Sequence, residues 1–467
     1  MKPIRFSLNG KPVEAQCRAD MTVLEWLRGE ALLRGTKEGC AEGDCGACSV
    51  LVKNSGGKAS RYLPTNSCIL LMGQMQGATL MTVEGLAELG EAGHAIQNEM
   101  AINGASQCGF CTPGIVVALA GLLEAKKAPS ESEIHDALAG NLCRCTGYRP
   151  IVEAAQKAAK SVAPRLPSAK IADSDHEAGS DESRFLLPTD LKSLLKLKKQ
   201  HPEAVLLAGG TDLALDVSHA RARWPLAIVT RKVEELRGIE KSKTHITFGA
   251  AVTWAEMLPM VEKHWPSFAT LIRRFGSVQI RSMGTLGGNL GTASPIGDGA
   301  PSLLALGAEI TLARHGKSRT LPLSDYFTGY RKTLRREDEI IESVSIPLPR
   351  KGEDFRVYKI SKRYDQDIST VCGAFWVSRK AGKVEQARIA FGGMAAVPAR
   401  CASAEIALVG TSLDEPAFEA ASAAIAASFT PMSDMRGTAD YRAKVAANLV
   451  CRFAQDLEGD IVEVMAL

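Results

Sequence analysis

Cys40-Ala41-Glu42-Gly43-Asp44-Cys45-Gly46-Ala47-Cys48 carries three cysteines at the spacing C-x4-C-x2-C, and a fourth, Cys68, follows further along. This is the plant-type arrangement of thiolates around a 2Fe-2S cluster. Gly39, Gly43 and Gly46 let the backbone curl round inorganic sulfide with its N–H groups turned inward. Such hydrogen bonds tune the reduction potential, roughly −400 mV for clusters of this type. Zinc is the competing ion, but zinc knuckles favour paired C-x2-C units, which this loop lacks.

Working outward, Ile4-Arg5-Phe6-Ser7-Leu8 alternates apolar and polar residues, Asn9-Gly10 is a strong hairpin signal, and Val13 is expected to begin a second strand. Thr22 to Arg28 suits a short helix capped by Thr22. Beyond the cysteine loop a strand is expected over Ser49 to Lys53. Together these predict a small α+β unit over residues 1–85.

A second cysteine group follows. Cys108 and Cys111 form a C-x2-C pair in QCGFCTPG, and Cys143 and Cys145 form a C-x-C pair in NLCRCTGYRP. Each pair precedes a helix with Pro at or near its start, Pro113 and Pro150. Four thiolates are therefore expected where helix N-termini present free N–H groups, a positive end that suits an anionic cluster. Taken alone, this set leaves zinc and iron–sulfur open; beside a ferredoxin-type loop, iron–sulfur is favoured. Ile115, Leu119 and Leu122 recur at helical spacing, and Ser130 with Glu133 makes a capping box for a further helix. Residues 86–162 are expected to form a helical bundle with cysteines at its helix ends.

Residues 163–183 are polar and rich in Pro, Gly and Ser, as a linker would be. Helix and strand signals then alternate over 184–352, and a last α/β region over 353–467 contains an alanine-rich helix, Ala417 to Ser428.

The totals exclude several function classes. The chain of 467 residues is 45% hydrophobic and 23% charged, ordinary for globular domains. A net charge of +4 from 56 basic and 52 acidic residues gives no argument for nucleic acid. Met1-Lys2-Pro3-Ile4-Arg5 does not open a signal peptide. The longest apolar run, Ile115 to Leu123, has nine residues, against the ~18 of a spanning helix. A soluble cytoplasmic protein without membrane contact is expected. In that setting clustered cysteines indicate metal ligands rather than disulfides. Cys17, Cys372, Cys401 and Cys451 are scattered and suit core or incidental thiols.

Two glycine-rich loops lie in the third region. Leu206-Leu207-Ala208-Gly209-Gly210-Thr211-Asp212-Leu213 is a strand running into a turn whose N–H groups suit a pyrophosphate. Thr285-Leu286-Gly287-Gly288-Asn289 is followed by Ser294-Pro295 and Asp298, a carboxylate placed for a hydroxyl. Neither has the G-x-G-x-x-G order of a Rossmann fingerprint, so the residues by themselves suggest only a dinucleotide.

QCGFCTPG and GNLCRCTGYRP resemble the iron–sulfur part of the xanthine dehydrogenase and aldehyde oxidase family of molybdenum hydroxylases, and TLGGNLGTASPIGD resembles that family's flavin motif. The likeness extends over essentially the whole chain. It implies an α+β multidomain fold: a β-grasp 2Fe-2S ferredoxin domain, a four-helix-bundle-like 2Fe-2S domain, a two-part α/β FAD domain of the vanillyl-alcohol-oxidase-like type, and a C-terminal α/β domain like that of carbon monoxide dehydrogenase flavoproteins. It implies one cluster on Cys40, Cys45, Cys48 and Cys68 and another on Cys108, Cys111, Cys143 and Cys145. FAD contacts would come from Leu206 to Leu213, Phe275, Thr285 to Asn289, Asp298, Ile341 and Lys359. Plain core is the competing role for Phe275, and a solvated charge for Lys359. Gln107 would face the pterin of a partner, or else be a solvated loop residue. YKISKRYDQDIS is similar to the family's loop beside the flavin, where NAD+ approaches; Lys362-Arg363-Tyr364 stands where the animal enzymes carry a serine and two arginines.

No stretch suits a molybdopterin domain, so the substrate centre is expected on another chain. Clusters and flavin in one chain resemble the small subunit of the family's bacterial members. That implies a large molybdopterin-binding partner, a heterotetramer of two small and two large chains, oxidation of hypoxanthine and xanthine to urate in purine catabolism, and NAD+ as acceptor. Electrons would pass from molybdenum to the Cys108 set, the Cys40 set, FAD and NAD+. No acid–base catalytic residue is expected on this chain. Rival readings are the same architecture serving an aldehyde or another N-heterocycle, a zinc-stabilised scaffold, and a self-sufficient flavin oxidase.

Overall fold

The structure, a computed structural model, describes residues 2–53, 61–161, 164–167, 169, 171 and 176–459. Of the expected linker, residues 163, 168, 170 and 172–175 lie outside the described residues; near its C-terminal end the chain already forms a strand, Glu177–Gly179. The chain divides into two compact units. The first comprises 1–234 with 276–284, and the second 235–275 with 285–467. The expected FAD region, 184–352, is thus shared between them.

In the first unit a five-stranded sheet runs in the order Lys11–Ala15, Ile4–Leu8, Thr79–Met81, Ser49–Lys53, Leu63–Asn66. Its hairpin turns on Asn9 and Gly10, both with positive φ (51° and 80°), as a tight two-residue turn between twisted strands demands. The second strand starts at Lys11, opposite Leu8, two residues earlier than Val13, because so tight a turn returns the chain to pairing at once. Parallel pairing of Ile4–Leu8 with Thr79–Met81 and the helix Val23–Gly29, closed by a Thr22/Glu25 capping box, complete the β-grasp pattern.

Helices Glu91–Ile102, Thr112–Ala125, Glu131–Leu138 and Arg149–Ala158 form the helical domain. Their core includes Ile96, Met100, Ile115, Leu119, Ile134, Leu138 and Ile151, with Leu51 and Met81 contributed by the first sheet. The second and fourth of these helices begin one residue before Pro113 and Pro150. Each proline therefore occupies the second position, where an N–H is equally dispensable.

A small sheet ordered Glu177–Gly179, Arg184–Leu186, Leu226–Val229, Val205–Leu207 packs onto the first sheet's other side, so Phe185, Leu207 and Trp224 share a core with Phe6, Trp26 and Met72. Residues 276–284 join this unit, and the short helix Val278–Arg281 is capped by Ser277.

The second unit holds an antiparallel five-stranded sheet in the order Ile239–Lys241, His245–Gly249, Ile340–Pro347, Glu309–Arg314, Lys317–Pro322. It also holds a four-stranded antiparallel sheet, Glu353–Ile360, Val371–Lys380, Lys383–Gly392 and Ala399–Arg400. Helices Ala402–Leu408, Glu415–Ser428 and Ala439–Glu458 pack on the second of these through Phe375, Phe391, Phe418 and Phe453. Among the described residues no helix is long and apolar enough to cross a membrane.

Asp20 stitches the first sheet to the small one. Fully buried, it accepts hydrogen bonds from the Trp224 N–H (3.0 Å) and Arg18 Nε (3.0 Å), while its own N–H donates to Ser183 Oγ (3.2 Å). Asp20→Ala leaves the buried Trp224 N–H without its acceptor. It should lower stability by about 1–3 kcal/mol, read as a lower urea midpoint of the first unit; an unchanged midpoint would show that the bond contributes nothing.

Candidate functional site

The loop before Ser49–Lys53 wraps its sulfurs in backbone amides. Cys40 Sγ accepts from the N–H groups of Cys45 (3.3 Å), Glu42 (3.4 Å) and Asp44 (3.4 Å), and Cys45 Sγ accepts from the Cys40 N–H (3.3 Å). Cys48 Sγ and Cys68 Sγ lie 3.3 Å apart. The four expected ligands thus meet as two sulfur pairs, Cys40/Cys45 and Cys48/Cys68.

Each pair is electrostatically lopsided. A hydrogen bond from the Cys45 thiol, with the backbone N–H groups, holds Cys40 down to about 4 against the effect of burial. Cys45 is pushed up because its thiol proton is held in the hydrogen bond it donates to Cys40, and burial adds to this. Cys48 is lowered by its hydrogen bond with Cys68, while Cys68 is raised by the same bond and by burial. Neighbouring thiolates cannot all ionise without a compensating cation.

Among the described residues no three His, Cys, Asp or Glu side chains converge on one point as ligands of a single ion would. A 2Fe-2S cluster asks for something else, two thiolates on each of two irons. The paired sulfurs and inward N–H groups of the first set fit that group.

At the second set, Cys111 stands immediately before the helix Thr112–Ala125, at its N-cap position. Burial raises Cys111 to about 12, helped by its hydrogen bond to Cys143 and by the negative charge there. For Cys143, burial acts upward but is outweighed by hydrogen bonds from the Thr146 hydroxyl (3.2 Å) and the neighbouring N–H groups, and the net direction is down. Tyr148 Oη accepts from the Cys143 N–H at 2.9 Å. Cys111 and Cys143 are therefore brought together, while Cys108 and Cys145, their neighbours in the two loops, lie exposed. Gln107, Phe110 and Leu142 are exposed beside them. The two cysteine loops touch, for the Leu142 N–H donates to the Cys45 carbonyl at 2.9 Å.

The expected flavin residues fall into two sets. Leu206 to Leu213 belongs to the first unit, as the end of strand Val205–Leu207 and the turn after it; Gln74 Nε2 donates to the Ala208 carbonyl there (3.3 Å). Phe275, Thr285 to Asn289, Asp298, Ile341 and Lys359 belong to the second unit.

In that second set Thr285 Oγ1 accepts from the Gly288 N–H (3.0 Å) and so turns the loop into the helix Leu286–Thr292. Phe275 packs against Trp254, with ring centroids 4.8 Å apart. A bulge opposite Thr311/Leu312 places Ile341 against Leu312 in the core. Lys359 is buried, and its Nζ donates to Asp298 Oδ2 (2.6 Å) and Ser369 Oγ (3.0 Å). The solvated-charge reading of Lys359 does not hold. Asp298 Oδ1 is buried without a hydrogen-bond partner. A buried carboxylate oxygen so left is an acceptor awaiting a ligand, which fits a flavin hydroxyl.

Arg274 gives the neighbouring segment its shape. Its guanidinium lies 4.4 Å over the Tyr364 ring and donates to the Tyr364, Lys359 and Ser361 oxygens (3.2, 3.1 and 3.3 Å). Sequence reasoning missed Arg274, Ser369, Ser49, Asn141 and Gln279. Asn141 stands two residues before Cys143, a proximity visible in the sequence; nothing in its neighbours marks Gln279.

Four family models match in order: the 2Fe-2S iron–sulfur cluster binding domain at residues 6–72, the 2Fe-2S binding domain at 82–156, the FAD binding domain in molybdopterin dehydrogenase at 181–349, and the CO dehydrogenase flavoprotein C-terminal domain at 356–457. The xanthine dehydrogenase of Emericella nidulans is 32% identical, over 98% of this chain and 39% of its own length. The xanthine dehydrogenase/oxidase of Rattus norvegicus is 32% identical, over 84% and 34%. The chain thus spans less than half the length of these curated relatives. Among solved structures, a chain of carbon monoxide dehydrogenase from Hydrogenophaga pseudoflava is 28% identical with a TM-score of 0.55, covering 57% of this chain and 94% of that one. Quinoline 2-oxidoreductase from Pseudomonas putida 86 gives 26% and 0.53, with 58% and 95% covered.

Replacing Lys359 by Met leaves the buried Asp298 charge uncompensated and should destabilise the second unit by about 3–5 kcal/mol. The double variant with Asp298→Asn should recover most of that loss. Thermal unfolding of the single and double variants checks this, and equal losses in both would show that the pair is not coupled.

Proposed function

Because this chain belongs to the xanthine dehydrogenase and aldehyde oxidase family of molybdenum hydroxylases, with both 2Fe-2S domains and the FAD-binding domain present, we infer that it is the electron-transfer subunit of such an enzyme. The substrate centre sits on a separate molybdopterin-binding chain, xanthine and hypoxanthine are the substrates, and NAD+ is the acceptor. The observation that carries this reading is the junction of the two cysteine loops. One hydrogen bond, Leu142 N–H to Cys45 carbonyl, joins a ligand of one set to the chain of the other, a short bonded route with no side chain interposed.

The clusters, when bound, carry electrons singly, and the flavin delivers them in pairs to the acceptor; the chain's own task is placement and tuning. The amides around Cys40 stabilise sulfur charge. Cys108, Cys111, Cys143 and Cys145 hold the second cluster at an exposed face where Gln107, Phe110 and Leu142 receive the partner and its pterin. On the flavin side, Leu206 to Leu213 and Thr285 to Asn289 supply backbone amides. Asp298 supplies the free carboxylate oxygen, Lys359 holds that carboxylate, and Phe275 and Ile341 line the site. Arg274 shapes the segment from Lys359 to Tyr364 that borders the acceptor's approach. The division into residues 1–85, 86–162, 184–352 and 353–467 follows these roles.

The complex isolated with its partner should contain about four irons per copy of this chain, two per 2Fe-2S domain, together with flavin and molybdenum, and should reduce NAD+ faster with xanthine than with aldehydes. Cys48→Ser should halve the iron and abolish xanthine-driven NAD+ reduction, while NADH-driven dye reduction at the flavin persists. Faster turnover of aldehydes would transfer the reading to that substrate class. A wild-type chain still free of iron after anaerobic reconstitution with ferrous salt and sulfide would end it.

A further inference from the structure

A buried polar node lies where the two cysteine loops meet, and no cysteine is part of it. Asn141, Ser49 and Gln279 are all buried. Asn141 Nδ2 donates to the Gly46 carbonyl (3.0 Å) and to Ser49 Oγ (3.2 Å), and Ser49 Oγ donates to the Gly46 carbonyl (2.7 Å). Gln279 Nε2 donates to Asn141 Oδ1 (2.8 Å) and to Ser49 Oγ (3.3 Å). Gly46 stands between Cys45 and Cys48, Ser49 follows Cys48, and Asn141 precedes Cys143 by two residues. Each member therefore belongs to a cysteine loop except Gln279, which the 276–284 excursion brings in.

Around this node the backbones touch without side chains between them. A Cβ at Gly46 would come within 2.0 Å of the Gly140 carbonyl oxygen, and one at Gly114 within 2.2 Å of the Gly46 carbonyl oxygen. A Cβ at Gly140 would fall 2.0 Å from Gln279 Oε1 and 2.6 Å from Ser277 Cβ. The Cys40 loop, the start of the helix behind Cys111 and the approach to Cys143 are thus pressed together at three glycines, and Gln279 closes the seat from the fourth side. Its Oε1 is buried with no hydrogen-bond partner. A buried amide with an unsatisfied oxygen is costly in a purely packing role. What the amide offers at this position is its N–H pair, which supplies the buried Asn141 Oδ1 with a donor.

We propose that Gln279 is a positioning residue for electron transfer: by holding Asn141 and Ser49 it fixes the backbone-to-backbone seat in which the two cysteine loops meet, and so sets the separation and mutual orientation of the two clusters. The same strand of chain enters the flavin loop at Thr285 six residues later, so the residue that locks the cluster loops is tied by a short covalent run to the flavin-binding segment. This rests on the reading that the two cysteine sets hold 2Fe-2S clusters.

The test uses the full chain with its partner. Gln279→Leu keeps the volume and deletes the donor. Ser49→Ala deletes a single hydroxyl and serves should the first variant fold poorly. Iron and flavin content are measured first, then low-temperature electron paramagnetic resonance after full reduction, then the two midpoint potentials. Both variants should keep wild-type iron and flavin, yet lose the spin–spin splitting between the clusters and shift the potential of the Cys40 set. A folded, iron-replete variant with wild-type splitting and potentials would overturn this inference alone. An iron-free wild type would overturn the cluster reading and the inference with it.

Discussion

Anionic sulfur cannot be gathered beside anionic sulfur without something positive to hold it, and the first unit is organised around that constraint. Cys40 is stabilised by three backbone N–H groups that the glycine-rich loop turns inward, and Cys48 sits within 3.3 Å of Cys68. A side chain could not deliver so many donors to one sulfur in so small a space. The loop therefore curls, and its last ligand Cys48, with Cys68, shares a core with the strand Ser49–Lys53 and the helix Val23–Gly29. At the second set, the Thr146 hydroxyl and the N–H groups of Cys145 and Thr146 do the same for Cys143.

The second unit solves the opposite problem. Lys359 and Asp298 bring opposite charges into a nearly dry core, which is tolerable only with short, well-directed bonds. Ser369 takes up another of the lysine's donors, and one carboxylate oxygen remains for a ligand. In both units, then, the candidate sites are places where local electrostatics are incomplete in the chain by itself.

Much of this was legible in order along the chain. C-x4-C-x2-C specified a loop chemistry, Asn9-Gly10 a hairpin and Ser130/Glu133 a capped helix, because each depends on residues a few positions apart. The two loops rich in glycine could be placed, and Asp298 could be named beside them. What stayed hidden was the assignment of 276–284 to the first unit, the Arg274 stack on Tyr364, and the burial of Lys359. Each joins residues separated by tens to hundreds of positions, and no local pattern reports such distances.

The amino-acid sequence alone determined which sulfurs can act together within a loop, which segments become helix or strand, and which family the whole resembles, since spacing, capping and alternation are short-range properties. Only the tertiary structure decided that Gly46, Gly114 and Gly140 meet, that Gln279 reaches Asn141 and Ser49, and that Asp298 keeps one oxygen free. Those outcomes depend on which surfaces exclude each other's side chains once the chain is packed, and close packing of distant segments is a property of the folded volume rather than of the order of residues.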